Sequence, residues 1–178
     1  MKQDDLNLFV VEIVNNRKSN SIVGIIYRHP SMCENRFNDI HLRNLIHKIN
    51  NEKNKDIFIA GDFNFDLIKA TSRQATSDFF ELLTTNFLLP MILLPTKINS
   101  SSNTLIDNIF TNFFNPDIVS GNLTVSISDH LASFSIFPKD NQNHIPKKHN
   151  IFKQDRTNFK TDEDFMHFKE DFNNFDWN

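Results

Sequence analysis

Residues 56–64 read Asp-Ile-Phe-Ile-Ala-Gly-Asp-Phe-Asn, an apolar run followed by a glycine and polar residues. The apolar run at 57–59 predicts a short buried strand. Gly61 lets the backbone leave that strand in a conformation that other residues avoid. Asp62 and Asn64 are two residues apart, so on an extended path they project to the same side. A carboxylate beside a carboxamide suits a hard metal ion and a phosphate oxygen, while a plain polar turn is the alternative interpretation.

Composition limits the classes of protein that remain. A chain of 178 residues can form one domain with a sizeable core. The net charge of −3 opposes a stand-alone nucleic-acid binder, because no overall basic field attracts nucleic acid, although a local patch stays compatible. The single Cys33 excludes an internal disulfide and a cysteine-based zinc site, and it is compatible with a reducing intracellular setting. No apolar run is long enough to span a bilayer.

Strand and helix patterns alternate along the first third of the chain. Residues 6–14 and 22–27 are rich in β-branched and aromatic side chains, and the polar stretch between them predicts a hairpin. Residues 34–52 predict a helix, and a strand over 56–61 follows it. This order predicts a crossover that layers a helix on a sheet, and hence an α/β fold. The apolar face predicted for the helix comprises Phe37, Ile40, Leu45, Ile46 and Ile49.

The middle of the chain continues the same alternation. A second helix is predicted over 78–87, further strands over 104–111 and 131–137, and one strand or a pair of strands over 117–127. Residues 97–103 read Lys-Ile-Asn-Ser-Ser-Ser-Asn and predict a flexible polar loop. The buried side predicted for the second helix comprises Phe79, Phe80, Leu82, Leu83 and Phe87.

The composition changes at Pro138. Residues 139–160 are polar and irregular, and a stripe of phenylalanines at helical spacing within 161–175 predicts a short helix. We therefore divide the chain into a domain over 1–137 and a linker with a C-terminal helix over 138–178. The basic residues 147–149 fit a solvated linker better than a nucleic-acid patch, which stays the alternative.

Three polar clusters stand at strand ends or inside strands. They are Asp62 with Asn64, Asp107, and Asp129 with His130. Each alone fits a structural acid or a loop residue. Together they supply the side chains needed for attack on a phosphodiester: metal ligands, a general base near neutral pH and a carboxylate that orients it.

The sequence motifs around these residues resemble those of the endonuclease/exonuclease/phosphatase superfamily. Gly-Asp-Phe-Asn at 61–64 resembles its Gly-Asp-x-Asn motif, and Ser-Asp-His at 128–130 resembles its terminal motif. Leu-Ile-Asp-Asn-Ile-Phe at 105–110 resembles the strand with its histidine-orienting Asp, and Tyr27 matches a Tyr that faces the phosphate. The phrases Tyr-Arg-x-Pro and Thr-Leu-Ile-Asp-Asn-Ile-Phe-Thr are most similar to the endonuclease domain of non-LTR retrotransposon polyproteins.

The resemblance implies a partial two-sheet α/β sandwich, with mixed or mostly antiparallel sheets and flanking helices. It implies a metal-dependent phosphodiester hydrolase that acts on DNA. The roles that it implies for the catalytic residues are a base for His130, an orienting carboxylate for Asp107, positioning of the nucleophile or a metal for Asp62, and phosphate binding for Asn64.

The resemblance also implies binding residues and partners. Asp129 would be a metal-side carboxylate together with Asp62, and Tyr27 a phosphate contact. The implied cofactor is Mg²⁺, with Mn²⁺ as a substitute. The implied partners are DNA as substrate, and either the missing N-terminal half of the domain or a reverse transcriptase in a longer polyprotein. Nuclear access is expected if the chain acts as a retrotransposon endonuclease.

The sequence departs from the family in its first half. The family places an Asn and a metal-binding Glu before the strand that begins here at Leu6, and no residues of this chain fill those positions. We therefore expect an N-terminally truncated domain that is marginally stable and weak or inactive on its own. A non-catalytic relic or binding module that keeps the fold without the chemistry is the alternative.

Overall fold

The strands form one mixed sheet and two small antiparallel sheets. The computed structural model describes residues 6–13, 20–52, 54–125 and 128–138, so the predicted linker and C-terminal helix beyond Pro138 lie outside the described residues. The strands are β1 (Leu6–Ile13), β2 (Ser21–Arg28), β3 (Asp56–Asp62), β4 (Leu89–Pro90), β5 (Lys97–Ile98), β6 (Asn103–Thr104), β7 (Asp107–Thr111), β8 (Val119–Leu123) and β9 (Ala132–Ile136). The main sheet has the order β1-β2-β3-β7-β4, and β5 pairs with β6 and β8 with β9. The expected α/β fold is confirmed.

Helical segments occupy two of the connections. They are α1 (Glu34–Arg36), a π-helical turn (Phe37–Leu42), α2 (Arg43–Asn50), a 3-10 turn (Leu67–Lys69) and α3 (Gln74–Thr84). None of the helices within the described ranges is long and apolar enough to cross a bilayer.

The predicted hairpin and crossover are both present. Strands β1 and β2 run antiparallel, whereas β2 and β3 run parallel with the helical segments 34–50 between them. The parallel register sets Tyr27 beside Asp62. Two predicted site residues therefore lie on neighbouring strands because of the crossover.

Phenylalanine rings fill the layer between the main sheet and the helices. Phe65 and Phe79 stack with ring centroids 4.4 Å apart, and Phe110 meets Phe79 edge-on at 5.8 Å. Phe63 contacts the same group, 5.3 Å from Phe79, and all four side chains are fully buried. Such aromatic pairs add to the stabilisation from buried area. Because Phe63 directly follows Asp62, this core also anchors the end of β3.

The first helix departs from the predicted pattern at the π-helical turn. Hydrogen bonds from residue i to i+5 widen this turn and shift the side chains relative to the 3.6-residue period. Ile40, which was expected on the buried face, is 46% exposed, whereas Leu42 is fully buried. The predicted burial of Ile40 is wrong for this reason.

Helix α3 begins and ends earlier than predicted. Phe87 has a positive φ of 61°, and the backbone N–H of Leu88 donates to the carbonyl of Leu83 at 3.0 Å. This left-handed C-terminal cap turns Phe87 outward, where it is 72% exposed, and sends Leu88 into the core. The predicted burial of Phe87 is wrong. Of the other predicted positions, Phe79 and Leu83 are buried, and Phe80 and Leu82 are half-buried.

The predicted flexible loop at 97–103 is a short hairpin. Its two ends are the paired strands β5 and β6. The side-chain oxygen of Asn99 accepts hydrogen bonds from the backbone N–H groups of Ser101 and Ser102, at 3.0 and 2.8 Å. Asn and Ser favour loops by making such local bonds, and here the bonds close a turn between strands. The sequence pattern therefore indicated the turn and missed the strands.

The sheet face opposite the helices is covered over part of its width by described residues. Phe58 on β3 packs against Phe137 at 4.5 Å and Phe113 at 6.3 Å between ring centroids. On β1 and β2, Phe9 and Ile25 face the same side and are 62% and 54% exposed. The site described below lies on this face, because Asp62 and Phe58 are separated by an even number of residues along β3.

We expect Gly61→Ala to destabilise the fold by more than about 3 kcal/mol. Gly61 has a φ of +156°, and a Cβ there would overlap the carbonyl oxygen of Ile26 on the adjacent strand. The matched control is Gly24→Ala, whose Cβ would meet side chains at 3.8 Å or more and should change stability by about 1 kcal/mol or less. Urea unfolding of both variants measures the difference, and equal midpoints would contradict this account of β3.

Candidate active site

Asp62 and Asp107 face each other across two paired strands. Asp62 ends β3, Asp107 begins β7, and the antiparallel register makes them direct partners. The side-chain oxygen of Thr96 accepts hydrogen bonds from the backbone N–H groups of Ile106 and Asp107, at 3.2 and 3.1 Å. Thr96 is fully buried, so it fixes the start of β7 and with it the Asp107 carboxylate.

The β5–β6 hairpin brings His130 to these carboxylates. The backbone N–H of Leu131 donates to the carbonyl of Thr96 at 2.6 Å, and Lys97 forms a β-bridge with His130. The Nδ1 atom of His130 then lies 3.0 Å from one oxygen of Asp107 and 3.3 Å from the other. The segment expected to be a flexible loop is thus what positions the imidazole.

Asp62, Asp107 and His130 form a group that could hold a metal ion. Each offers one ligand atom, these atoms lie within 4.8 Å of one another, and all three residues are half-buried. Burial and the nearby Asp107 raise the pKa of Asp62, although a hydrogen bond from the backbone N–H of Asn64 opposes the shift. Two carboxylates that repel each other in a partly buried site fit a divalent cation, because a cation relieves that repulsion.

Asn64 and Tyr27 flank this group. Asn64 has a positive φ of 52°, and its side-chain amide donates to the carbonyl of Arg28 at 2.7 Å. Tyr27 is 39% exposed beside Asp62 in the sheet. The structure therefore brings both residues to the rim of the site, with one amide N–H of Asn64 engaged by the backbone.

Asp129 lies apart from the three-residue group. Its carboxylate is 3.3 Å from the Nζ atom of Lys97 and is exposed to solvent. The hydrogen bond with Lys97 lowers the pKa of Asp129. In this structure Asp129 binds a lysine.

Sequence reasoning missed Arg28, Thr96 and Lys97 as parts of the site. Arg28 is 1% exposed, and its guanidinium donates to the carbonyls of Phe63 (2.6 Å), Met32 (2.7 Å) and Asn64 (2.8 Å). Its Cζ atom also lies 4.5 Å from the centre of the Phe65 ring. Arg28 belongs to the Tyr-Arg-x-Pro motif, but a charged residue at a strand end near a proline gives no indication in the sequence that its side chain is buried.

Removing the guanidinium in Arg28→Met should destabilise the fold by about 3–5 kcal/mol, because three buried or part-buried carbonyls lose their donors. Arg43→Met is the control: Arg43 forms an exposed i,i+4 pair with Asp39, and its loss should cost about 0.5 kcal/mol or less. Guanidinium-chloride unfolding compares the two variants. Similar losses for both would show that the loop after β3 does not depend on Arg28.

Asp62→Asn should stabilise the metal-free fold at pH 7. The folded-state pKa of Asp62 is raised, so its ionised form costs stability above that pKa, and the cost disappears below the unfolded value of about 3.9. The gain should therefore shrink as the pH falls toward 4. Urea midpoints in EDTA at both pH values measure it, with exposed Asp117→Asn as the control. A loss of stability in Asp62→Asn at pH 7 would contradict the raised pKa of Asp62.

No protein-family profile and no curated protein sequence matches the chain. Solved structures resemble it in fold. Beta toxin from Staphylococcus aureus matches with a TM-score of 0.54 and 16% identity. The match covers 72% of this chain and 56% of the toxin chain, so it spans little more than half of the toxin's length. The endonuclease domain of TRAS1, a telomere-specific non-LTR retrotransposon, matches with a TM-score of 0.54 and 15% identity over 79% of this chain and 72% of its own.

A third likeness is weaker. The endonuclease/exonuclease/phosphatase family protein from Leptotrichia buccalis matches with a TM-score of 0.47 and 18% identity over 73% of this chain and 54% of its own. At these identities a likeness shows fold and not function. The chain has a mixed α/β fold that resembles the folds of the beta toxin and of the TRAS1 endonuclease domain.

Proposed function

We propose that this chain is a divalent-metal-dependent phosphodiester hydrolase, and that its substrate is DNA. The observation that carries the proposal is the contact of His130 with Asp107 beside Asp62, with ligand atoms within 4.8 Å of one another. A base, a carboxylate that orients it and a second carboxylate are the groups that water attack on a phosphodiester requires.

His130 is the base in this proposal. When Nδ1–H donates to Asp107, the neutral tautomer leaves Nε2 free to accept a proton from the attacking water. The water oxygen forms a bond to phosphorus, the bond to the leaving oxygen breaks, and that oxygen takes up a proton. Asp62 positions the water or a metal ion at the end of β3.

Asn64 and Tyr27 bind the phosphate in this proposal. One N–H of the Asn64 amide donates to the carbonyl of Arg28, and an amide nitrogen carries a second hydrogen for a phosphoryl oxygen. The Tyr27 hydroxyl supplies another donor from the neighbouring strand. Both groups are uncharged, so they add hydrogen bonds without adding to the negative charge of the site.

Mg²⁺, or Mn²⁺ in its place, would be held by Asp62 with Asp107 or Asp129, and it would polarise the phosphate oxygens and stabilise developing negative charge. The geometry favours Asp62 and Asp107 for this role, because they face each other on paired strands.

A retrotransposon origin is the finer part of the proposal. The motif wording and the fold shared with the TRAS1 endonuclease domain support it. On this proposal the working setting is a longer polyprotein with a reverse transcriptase. The alternative is a non-catalytic relic or binding module. It predicts that the chain binds DNA without cleaving it, whatever residue stands at position 130.

The test is nicking of supercoiled plasmid by the full chain in excess, in Mg²⁺ or Mn²⁺. We expect slow nicking that EDTA abolishes and that His130→Ala reduces by about 100-fold or more, as removal of a general base should. His47→Ala, an exposed histidine on α2, should nick at the wild-type rate. Nicking that survives His130→Ala would overturn the role of His130, and no nicking by the wild type in either metal would overturn hydrolysis by the chain on its own and favour the non-catalytic alternative.

A further inference from the structure

A lysine lies at the rim of the candidate site. Lys97 is the first residue of β5 and forms a β-bridge with His130, while the backbone N–H of Ile98 donates to the carbonyl of Asp129 at 2.9 Å. The side chain of Lys97 is about one-third exposed, so its ammonium group can reach solvent and a ligand. Its Nζ atom lies 3.3 Å from the Asp129 carboxylate. The hairpin that positions His130 therefore also carries a cation.

The site has several negative charges, and Lys97 supplies a positive charge that an anionic phosphate can reach. Asp62, Asp107 and Asp129 are carboxylates, and a phosphodiester is also an anion. Arg28 lies nearby, but its guanidinium is buried and donates to backbone carbonyls, so it cannot turn toward a ligand. The positive charge of Lys97 also acts on the Asp62 carboxyl, which places it within electrostatic range of the reacting end of β3.

We propose that Lys97 binds the phosphate of the nucleic-acid substrate, and that Asp129 is a positioning residue that holds Lys97 beside His130 before the substrate arrives. This inference rests on the proposed function. The ammonium group has three N–H donors, so it can keep its contact with Asp129 while it donates to a non-bridging phosphate oxygen.

This role for Asp129 differs from that of a metal-side carboxylate, and the two make different predictions. A positioning residue acts through Lys97, so its removal should weaken DNA binding only while Lys97 is present. Removal of a metal ligand should lower the metal affinity of the protein whatever residue stands at position 97. The comparison therefore needs Asp129→Asn alone and in combination with Lys97→Gln.

The experiment measures binding of a fluorescein-labelled duplex oligonucleotide to the full chain by anisotropy in Ca²⁺, across a series of salt concentrations. We expect Lys97→Gln to weaken binding about tenfold and to reduce the salt slope by about 0.9, the value for one phosphate contact. Lys97→Arg should bind within about threefold of the wild type, because the charge is kept. Lys48→Gln, an exposed lysine on α2, should leave affinity and slope unchanged.

The Asp129 variants complete the test. Asp129→Asn should weaken oligonucleotide binding, add nothing in the Lys97→Gln background, and leave Mn²⁺ affinity, measured by electron paramagnetic resonance, at the wild-type value. Wild-type binding with an unchanged Lys97→Gln slope would overturn the role of Lys97 and leave the proposed function standing. A loss of Mn²⁺ affinity in Asp129→Asn would overturn the positioning role. No binding by the wild type would remove the proposed function and this inference together.

Discussion

The buried guanidinium of Arg28 is the constraint on which the rest of the arrangement depends. It comes from the end of β2 and donates to carbonyls in the segment that follows β3. A buried carbonyl without a donor costs stability, so this segment has few other paths open to it. The path that it takes turns Phe63 and Phe65 into the core and holds Asn64 at a positive φ. The same hydrogen bonds therefore order the core and the rim of the candidate site.

The site is assembled from segments that differ in how firmly they are held. Asp62 lies on β3 between β2 and β7, and Asp107 pairs with Asp62 on one side while its backbone N–H donates to Thr96. His130 is brought in by the small β5–β6 hairpin through Thr96 and the bridge from Lys97. The carboxylates are thus set by the sheet, and the imidazole by an element of two short strands. A change in that hairpin would move the base and leave the carboxylates in place.

Much of this could be predicted from residue patterns. Runs of β-branched residues predicted β1 to β3, and motif spacing singled out Asp62, Asp107 and His130, which the structure brings together. The failures have local causes. The burial of Ile40 depended on a regular helical period that the π-helical turn breaks, and the burial of Phe87 depended on a helix that a left-handed cap ends early.

Other features follow from contacts between segments distant in sequence. The guanidinium of Arg28 can be buried because two of the three carbonyls that it binds most closely come from residues 35 and 36 positions later. Thr96 matters because its hydroxyl reaches the start of β7. The hydrophobic periodicity of the sequence does not predict such contacts, because each contact forms only in the tertiary fold.

Strand β1 has one consequence beyond the site. Among the described residues it is one edge of the main sheet, and apolar side chains such as Leu8, Phe9 and Val10 are exposed on both of its faces. No described strand pairs with its outer rim, and its only charged side chain, Glu12, is engaged by Lys55. An extended segment that pairs with this rim would continue the main sheet, so the rim is where strand pairing between chains would begin.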